Sequence, residues 1–194
     1  MPSPVSLLTR LRFPLDVRRC GARLDDLRLL VLDVDGVLTD GGLYYGSEGE
    51  PLKRFDVRDG LGIRLLQSVG IVVAVLSGGR GGAIHLRARH LGIDEVLVGV
   101  KDKAAAIDDL CQRLAVPACQ AAYVGDDIND LVVRPHVGLL IAPADAAAPL
   151  RRRAHLLLPW RGGRGAIRGL AELILQRRGR LAALSTDGWK DTNA

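Results

Sequence analysis

Short apolar runs rich in β-branched residues alternate with longer stretches of helical period along most of this chain. The runs at 28–34, 71–76 (IVVAVL), 95–99 (EVLVG), 121–125 (AAYVG) and 137–141 (VGLLI) are almost continuously apolar. Strands buried on both faces have that pattern; strands with one wet face alternate instead. Between them, apolar residues recur three and four apart over about 59–69, 82–91, 103–115, 127–133 and 165–178, with Gly70 and Gly92 placed as C-terminal stops. The alternation predicts an α/β fold, a Rossmann-like three-layer sandwich with a central parallel sheet. One segment breaks the rhythm. GGLYYGSEGEPLKRFDV, residues 41–57, has two short strand-like stretches around a Gly/Ser/Glu turn and predicts a β-hairpin inserted after the first strand, where a flap over a site would sit.

Residues 1–24 and 180–194 read as a loosely held N-terminal extension and a C-terminal tail, leaving 25–179 as a single domain. The chain is 48% hydrophobic and 25% charged, which excludes disorder of the whole; with aromatics at 4%, Leu, Val, Ile and Ala must fill the core. The net charge of +5 is uneven: residues 33–130 hold 10 Lys/Arg against 15 Asp/Glu, and residues 131–194 hold 11 against 4. The RRR at 151–153 has no interleaved aromatics, so it reads as a solvated face and not a nucleic-acid surface. Cys20, Cys111 and Cys119 form no C-x-x-C pair, which points to a reducing cytoplasm. The first twenty residues lack the apolar stretch of a signal peptide, and no run approaches the roughly 18 residues of a membrane span.

The first apolar run ends in two aspartates, Asp33 and Asp35, within LLVLDVDGVLTDGG. Desolvating a carboxylate costs several kcal/mol unless something positive or protic meets it, so the pair calls for partners. In open α/β sheets the functional crevice lies at the C-terminal strand ends. There the second strand delivers LSGGRGG, the third leads through VGVKDK into a helix, and the fourth ends in VGDDIND. Asp33, Asp35, Ser77, Lys103, Asp126 and Asp127 are thus expected in one neighbourhood. So many carboxylates call for a hard cation, Mg²⁺ above others. A metal, a lysine, a hydroxyl and a Gly-rich turn before a helix suit a phosphoryl group. One carboxylate can attack phosphorus; its partner two residues on, facing the same way along an extended strand, can protonate the leaving oxygen and activate water.

These motifs in this order resemble the haloacid dehalogenase superfamily. More narrowly, DVDGVLTDGGLYYGSEGEPLKRFDVRDGLGIRLLQSVGI, YVGDDIND and GGRGAIR resemble its capless branch typified by 3-deoxy-D-manno-octulosonate 8-phosphate phosphatase, over roughly residues 27–178. The resemblance implies a Mg²⁺-dependent phosphomonoesterase with Asp33 as nucleophile and Asp35 as general acid/base. Ser77, Gly78 and Lys103 would bind phosphate, and Asp33, Asp126 and the Asp35 carbonyl would bind the metal. Asp127 would orient Lys103 or metal-bound water. It also implies a homotetramer in lipopolysaccharide biosynthesis, whose hairpins cover neighbouring sites, with a sugar-acid phosphate as substrate; the cysteines and apolar runs add a cytoplasmic location with no membrane partner, and the uninterleaved basic runs no nucleic-acid partner. Arg58, Arg80 and Arg164 are candidates for a substrate carboxylate.

The pattern departs from the branch at one position. Members acting on the octulosonate commonly carry Thr/Ser-Gly-Arg, whereas SGGR puts Gly79 there and moves the arginine to Arg80. The reaction follows from the resemblance, while the substrate stays open between that compound and a nonulosonate 9-phosphate or another sugar phosphate. A receiver-type signalling domain uses similar groups but has its acidic pair first and its acceptor aspartate later, the reverse of this chain. A regulatory domain that kept the fold and lost turnover is the remaining alternative, against which every motif residue is present.

Overall fold

Leu29–Leu32 (β1) lies inside a parallel sheet, paired with Val72–Ser77 (β4) on one side and Ala121–Val124 (β6) on the other. The structure is a computed structural model and describes residues 7–47, 51–79 and 81–188. Glu95–Val98 (β5) extends the sheet beyond β4; Leu139–Ala142 (β7) and Leu156–Leu157 (β8) extend it beyond β6. The order is β5-β4-β1-β6-β7-β8, with every pairing parallel. Leu30 and Leu32 of β1 enter one core layer with Ile63 and Leu66 of α2 (Val57–Gln67), Ile84 of α3 (Gly82–His90) and Ile167 and Leu170 of α6 (Ala166–Arg177). Leu29 and Val31 enter the opposite layer with Ile107 and Leu110 of α4 (Lys103–Arg113). Burial on both faces is why the strands read as continuous apolar runs.

The first strand is shorter than expected. It ends at Leu32, where the Val34 carbonyl accepts the N–H groups of Val37, Leu38 and Thr39 and closes a tight turn. Asp33 and Asp35 therefore stand on a turn, and the pleat of an extended strand does not orient them. The expected helix at 127–133 is a 3-10 segment, Ile128–His136. Asp127 and Asp130 form a capping box at its start, and Pro135, with no N–H, weakens any α-helical continuation.

The N-terminal region differs from a loosely held extension: Leu7–Asp25 is a helix, α1. Pro14 and five arginines blur its periodicity, but Cys20 and Leu24 are buried in the layer with α6. Its Asp16 accepts the Leu157 N–H of β8 at 3.1 Å, and its Asp25 pairs with Arg177 at 2.7 Å. Tertiary packing supplies stability that the local pattern does not display. β8, α5 (Ala148–Arg153) and α7 (Leu181–Asp187) also lie outside the expected elements.

The hairpin is present as Tyr44–Tyr45 (β2) against Pro51–Leu52 (β3), antiparallel. Behind the site, α2 and α6 meet closely: a Cβ on Gly62 would stand 2.8 Å from the Arg168 Cα. Buried Asp59 in the first turn of α2 accepts the N–H groups of Gly165 (3.1 Å) and Arg168 (2.9 Å), capping α6 from a neighbouring helix.

Candidate active site

β1, β4 and β6 are adjacent, and their C-terminal ends release Asp33, the Ser77–Gly79 turn and Asp126 at one edge of the sheet, where connections depart to opposite faces. These residues, with Asp35, Lys103 and Asp127, line a cavity of about 560 Å³. Lys103 is the first residue of α4, placed by the Asp102 cap, and is 4% exposed. Its ammonium reaches Asp33 Oδ2 at 2.7 Å, Asp130 Oδ1 at 2.6 Å and the Tyr123 hydroxyl at 3.0 Å, so all three of its donors are taken. Asp33 Oδ1 accepts the Val34 N–H at 2.7 Å. Ser77 Oγ accepts the Gly79 N–H at 3.1 Å, which leaves the hydroxyl proton free to donate into the cavity. Gly36, at φ +76°, has to be glycine: a Cβ there would lie 2.0 Å from Asp126 Oδ2. Gly162 packs its Cα against the same turn, where a Cβ would stand 1.7 Å from the Gly36 carbonyl. The GGRG segment is thus a brace under the D-x-D turn.

The buried carboxylates outweigh the one ammonium among them. Burial, then the Asp130 charge, push Asp33 up to about 6 despite Lys103. Burial, then Asp130, Asp33 and Asp127, push Asp126 up to about 7. Burial alone would lower Lys103, but Asp33 and Asp130 outweigh it and hold the ammonium charged. Carboxylate oxygens of Asp33, Asp126 and Asp130 lie within 4.8 Å of one another. Asp130 is already satisfied, since its Oδ2 accepts the N–H groups of Asp126 (2.9 Å) and Asp127 (3.2 Å) while Oδ1 faces Lys103 and Tyr123. Among the described residues no donor reaches the Asp126 carboxylate, so Asp126 and Asp33 are the side chains a hard divalent cation fits.

The remaining expected residues fall elsewhere. Arg58 is exposed and pairs with Asp56 at 3.1 Å; Arg164 pairs with Asp40 at 3.1 Å; neither lines the cavity. Arg80 lies outside the described residues. Asp127 lines the cavity, but its carboxylate accepts the Ile128 N–H at 2.7 Å, and Lys103 is oriented by Asp130 instead. Sequence reasoning gave no role to Asp130, Tyr123 or Lys53. The last aspartate of GDDIND was the available signal for Asp130, whereas nothing local marks Tyr123 or Lys53.

A doubly wound parallel sheet whose strand ends gather D-x-D, a hydroxyl turn, a lysine and an acidic pair is the arrangement of haloacid dehalogenase superfamily hydrolases. The chain is 44% identical over 160 residues to 3-deoxy-D-manno-octulosonate 8-phosphate phosphatase KdsC of Escherichia coli K12, covering 82% of this chain and 85% of that protein. It superposes on the phosphatase of that name from Moraxella catarrhalis, solved with a magnesium ion, a phosphate ion and KDO, with TM-score 0.85 and 32% identity over 89% of this chain and 99% of that one. A haloacid dehalogenase superfamily (subfamily III A) hydrolase from Legionella pneumophila gives TM-score 0.84 and 34% identity over 91% and 97%. No family model matches the chain. The chain belongs to the 3-deoxy-D-manno-octulosonate 8-phosphate phosphatase family of that superfamily.

Proposed function

We propose that this protein is a Mg²⁺-dependent phosphomonoesterase that hydrolyses 3-deoxy-D-manno-octulosonate 8-phosphate through an aspartyl-phosphate on Asp33. The observation that carries the reading is the setting of Asp33, buried at the sheet edge, fixed by Lys103 and facing the Ser77–Gly79 turn across the cavity. Ser77 Oγ and the Gly78 N–H donate to the phosphoryl oxygens, and Lys103 sets a fixed positive charge beside them. Asp33 attacks phosphorus, the bond from phosphorus to the sugar oxygen breaks, and Asp35 gives that oxygen its proton, so the sugar acid leaves as an alcohol. Asp35 then takes a proton from a water whose oxygen attacks the aspartyl-phosphate; the Asp33–phosphorus bond breaks and inorganic phosphate departs. Asp33, Asp126 and the Asp35 carbonyl would hold Mg²⁺, which when bound neutralises phosphoryl charge. Asp127, beside Asp126 on the cavity wall, is the second-sphere carboxylate of the set.

The substrate follows from the named relatives at this level of identity. A nonulosonate 9-phosphate is the second reading, and one observation favours it: Gly79 presents no side chain where octulosonate enzymes commonly carry arginine. The assembly in this reading is a homotetramer joined through the hairpins, supported by Leu43, Tyr44, Tyr45 and Leu52, all exposed in the single chain. A reducing cytoplasm suits its three free cysteines. The test is phosphate release by the purified protein with Mg²⁺ from the eight- and nine-carbon keto-acid phosphates beside hexose phosphates. Turnover of the eight-carbon ester above the rest, abolished in Asp33→Asn, is expected. Hydrolysis of hexose phosphates alone would end the substrate assignment, and a fully active Asp33→Asn would end the mechanism.

A further inference from the structure

The segment after β3 sends its two basic residues in opposite directions. Arg54 donates to the Gly163 carbonyl at 3.0 Å, on the brace beneath the D-x-D turn. Lys53 turns inward and its ammonium pairs with Asp35 Oδ1. The burial of that pair is lopsided: the lysine side chain is 7% exposed and the aspartate 43%. Lysine normally extends its head into water, and withdrawing it costs free energy unless a partner holds it. Here the partner is a half-exposed carboxylate at the cavity wall, so the contact is directed and not a solvated surface pair.

Asp35 depends on this contact. Asp33 is fixed by Lys103 and the Val34 N–H, and Asp130 by two side chains and two backbone N–H groups. Among the described residues, Lys53 is the sole donor to Asp35. With Oδ1 held, Oδ2 faces the Gly79 turn: a Cβ on Gly79 would lie 3.3 Å from Asp35 Oδ2, 3.4 Å from Ser77 Oγ and 4.0 Å from Lys53 Nζ. The free oxygen of Asp35 thus points to where an ester oxygen of a phosphate seated on Ser77 would be.

We infer that Lys53 is a positioning residue for phosphoryl transfer: it fixes the Asp35 carboxyl so that Oδ2 can pass its proton to the leaving oxygen, which makes the seated hairpin stem part of the catalytic assembly. The inference rests on the phosphatase reading and deepens it. As Asp33 bonds to phosphorus and the phosphorus–oxygen ester bond breaks, the proton moves from Asp35 to the departing oxygen; Lys53 keeps its own protons throughout.

The test compares wild type, Lys53→Met and Lys53→Arg with Mg²⁺ on nitrophenyl phosphate, whose leaving group departs without a proton, and on an alkyl phosphate, whose leaving group needs one. General acid catalysis contributes about 10²- to 10⁴-fold, so Lys53→Met is expected to lose about a hundredfold in kcat/KM on the alkyl ester and about tenfold or less on the nitrophenyl ester. KM changes little, and Lys53→Arg recovers most of the loss. In single-turnover bursts of nitrophenol, Lys53→Met combined with Asp35→Asn should match Asp35→Asn alone within about twofold, because a residue acting only through Asp35 has nothing left to act on. Equal losses on both esters, or losses that multiply in the double variant, would overturn the inference and make Lys53 a substrate contact or a strut of the hairpin. An active wild type with an unaffected Lys53→Met overturns this inference alone; a wild type that turns over neither ester removes the phosphatase reading and this with it.

Discussion

Asp130 ties the local to the distant: its four hydrogen bonds join Lys103, Tyr123 and the backbone that presents Asp126. Replacing one carboxylate oxygen with an amide, as in Asp130→Asn, turns an acceptor into a donor facing other donors and leaves a buried ammonium underpaired. The expected cost is about 2–3 kcal/mol of stability with a fall in phosphate release of about a hundredfold, read by denaturant unfolding and by turnover. Tyr123→Phe removes one of three partners of Lys103 and should cost only about 1 kcal/mol while keeping most activity. The raised Asp33 and Asp126 carry a further consequence. Without metal, the folded chain holds protons that the unfolded chain releases above about pH 4, so stability falls as pH rises through about 6 to 7. In the proposed site Mg²⁺ would bind the ionised pair, so its elevation of Tm should be larger at pH 8 than at pH 5; scans in EDTA and in Mg²⁺ measure both trends. Asp33, Asp35, Ser77, Lys103 and Asp126 were expected together from the sequence because each lies at or within three residues of the C-terminal end of a buried strand or opens the next helix. The pairing of Asp130 with Lys103 and of Lys53 with Asp35 was not, since those partners lie 27 and 18 positions away.

At the scale of elements, the two helices behind the site behave as one unit through Asp59. Its carboxylate caps α6 from α2, and burial raises its pKa against the Gly165 and Arg168 N–H bonds that pull the other way. Asp59→Ala should cost about 2 kcal/mol by leaving two amides at the start of α6 unpaired, a loss that urea unfolding would register. A Cβ on Gly62 meets the backbone of α6, so Gly62→Ala should also destabilise, opposite in sign to an exposed helical Gly→Ala change, which usually stabilises. Five of the six strands, their parallel sense and most helices follow from the hydrophobic period, while the strand order does not. α1 and β8 did not, because α1 is interrupted by Pro14 and β8 is a two-residue strand stabilised by its neighbours β7 and α1.

The whole molecule ends in a sticky edge. Tyr45 is 69% exposed and Leu52 64% on a two-stranded hairpin that packs little of its own apolar surface. Under the proposed tetramer, that surface is covered by other subunits. Tyr45→Arg with Leu52→Glu should then shift the protein toward monomer in light scattering while far-UV circular dichroism stays unchanged; a tetramer that survives both changes would place its interface elsewhere. What the sequence by itself determined was the fold class and the chemistry of the strand ends, because burial on both faces imposes an apolar code and motifs attach to strand termini. Tertiary structure alone decided which carboxylate holds Lys103, which lysine holds Asp35, and which arginines are spent in ion pairs away from the cavity. Those are matters of hydrogen-bond geometry a few ångströms across, between residues that the chain brings together only after its sheet has closed.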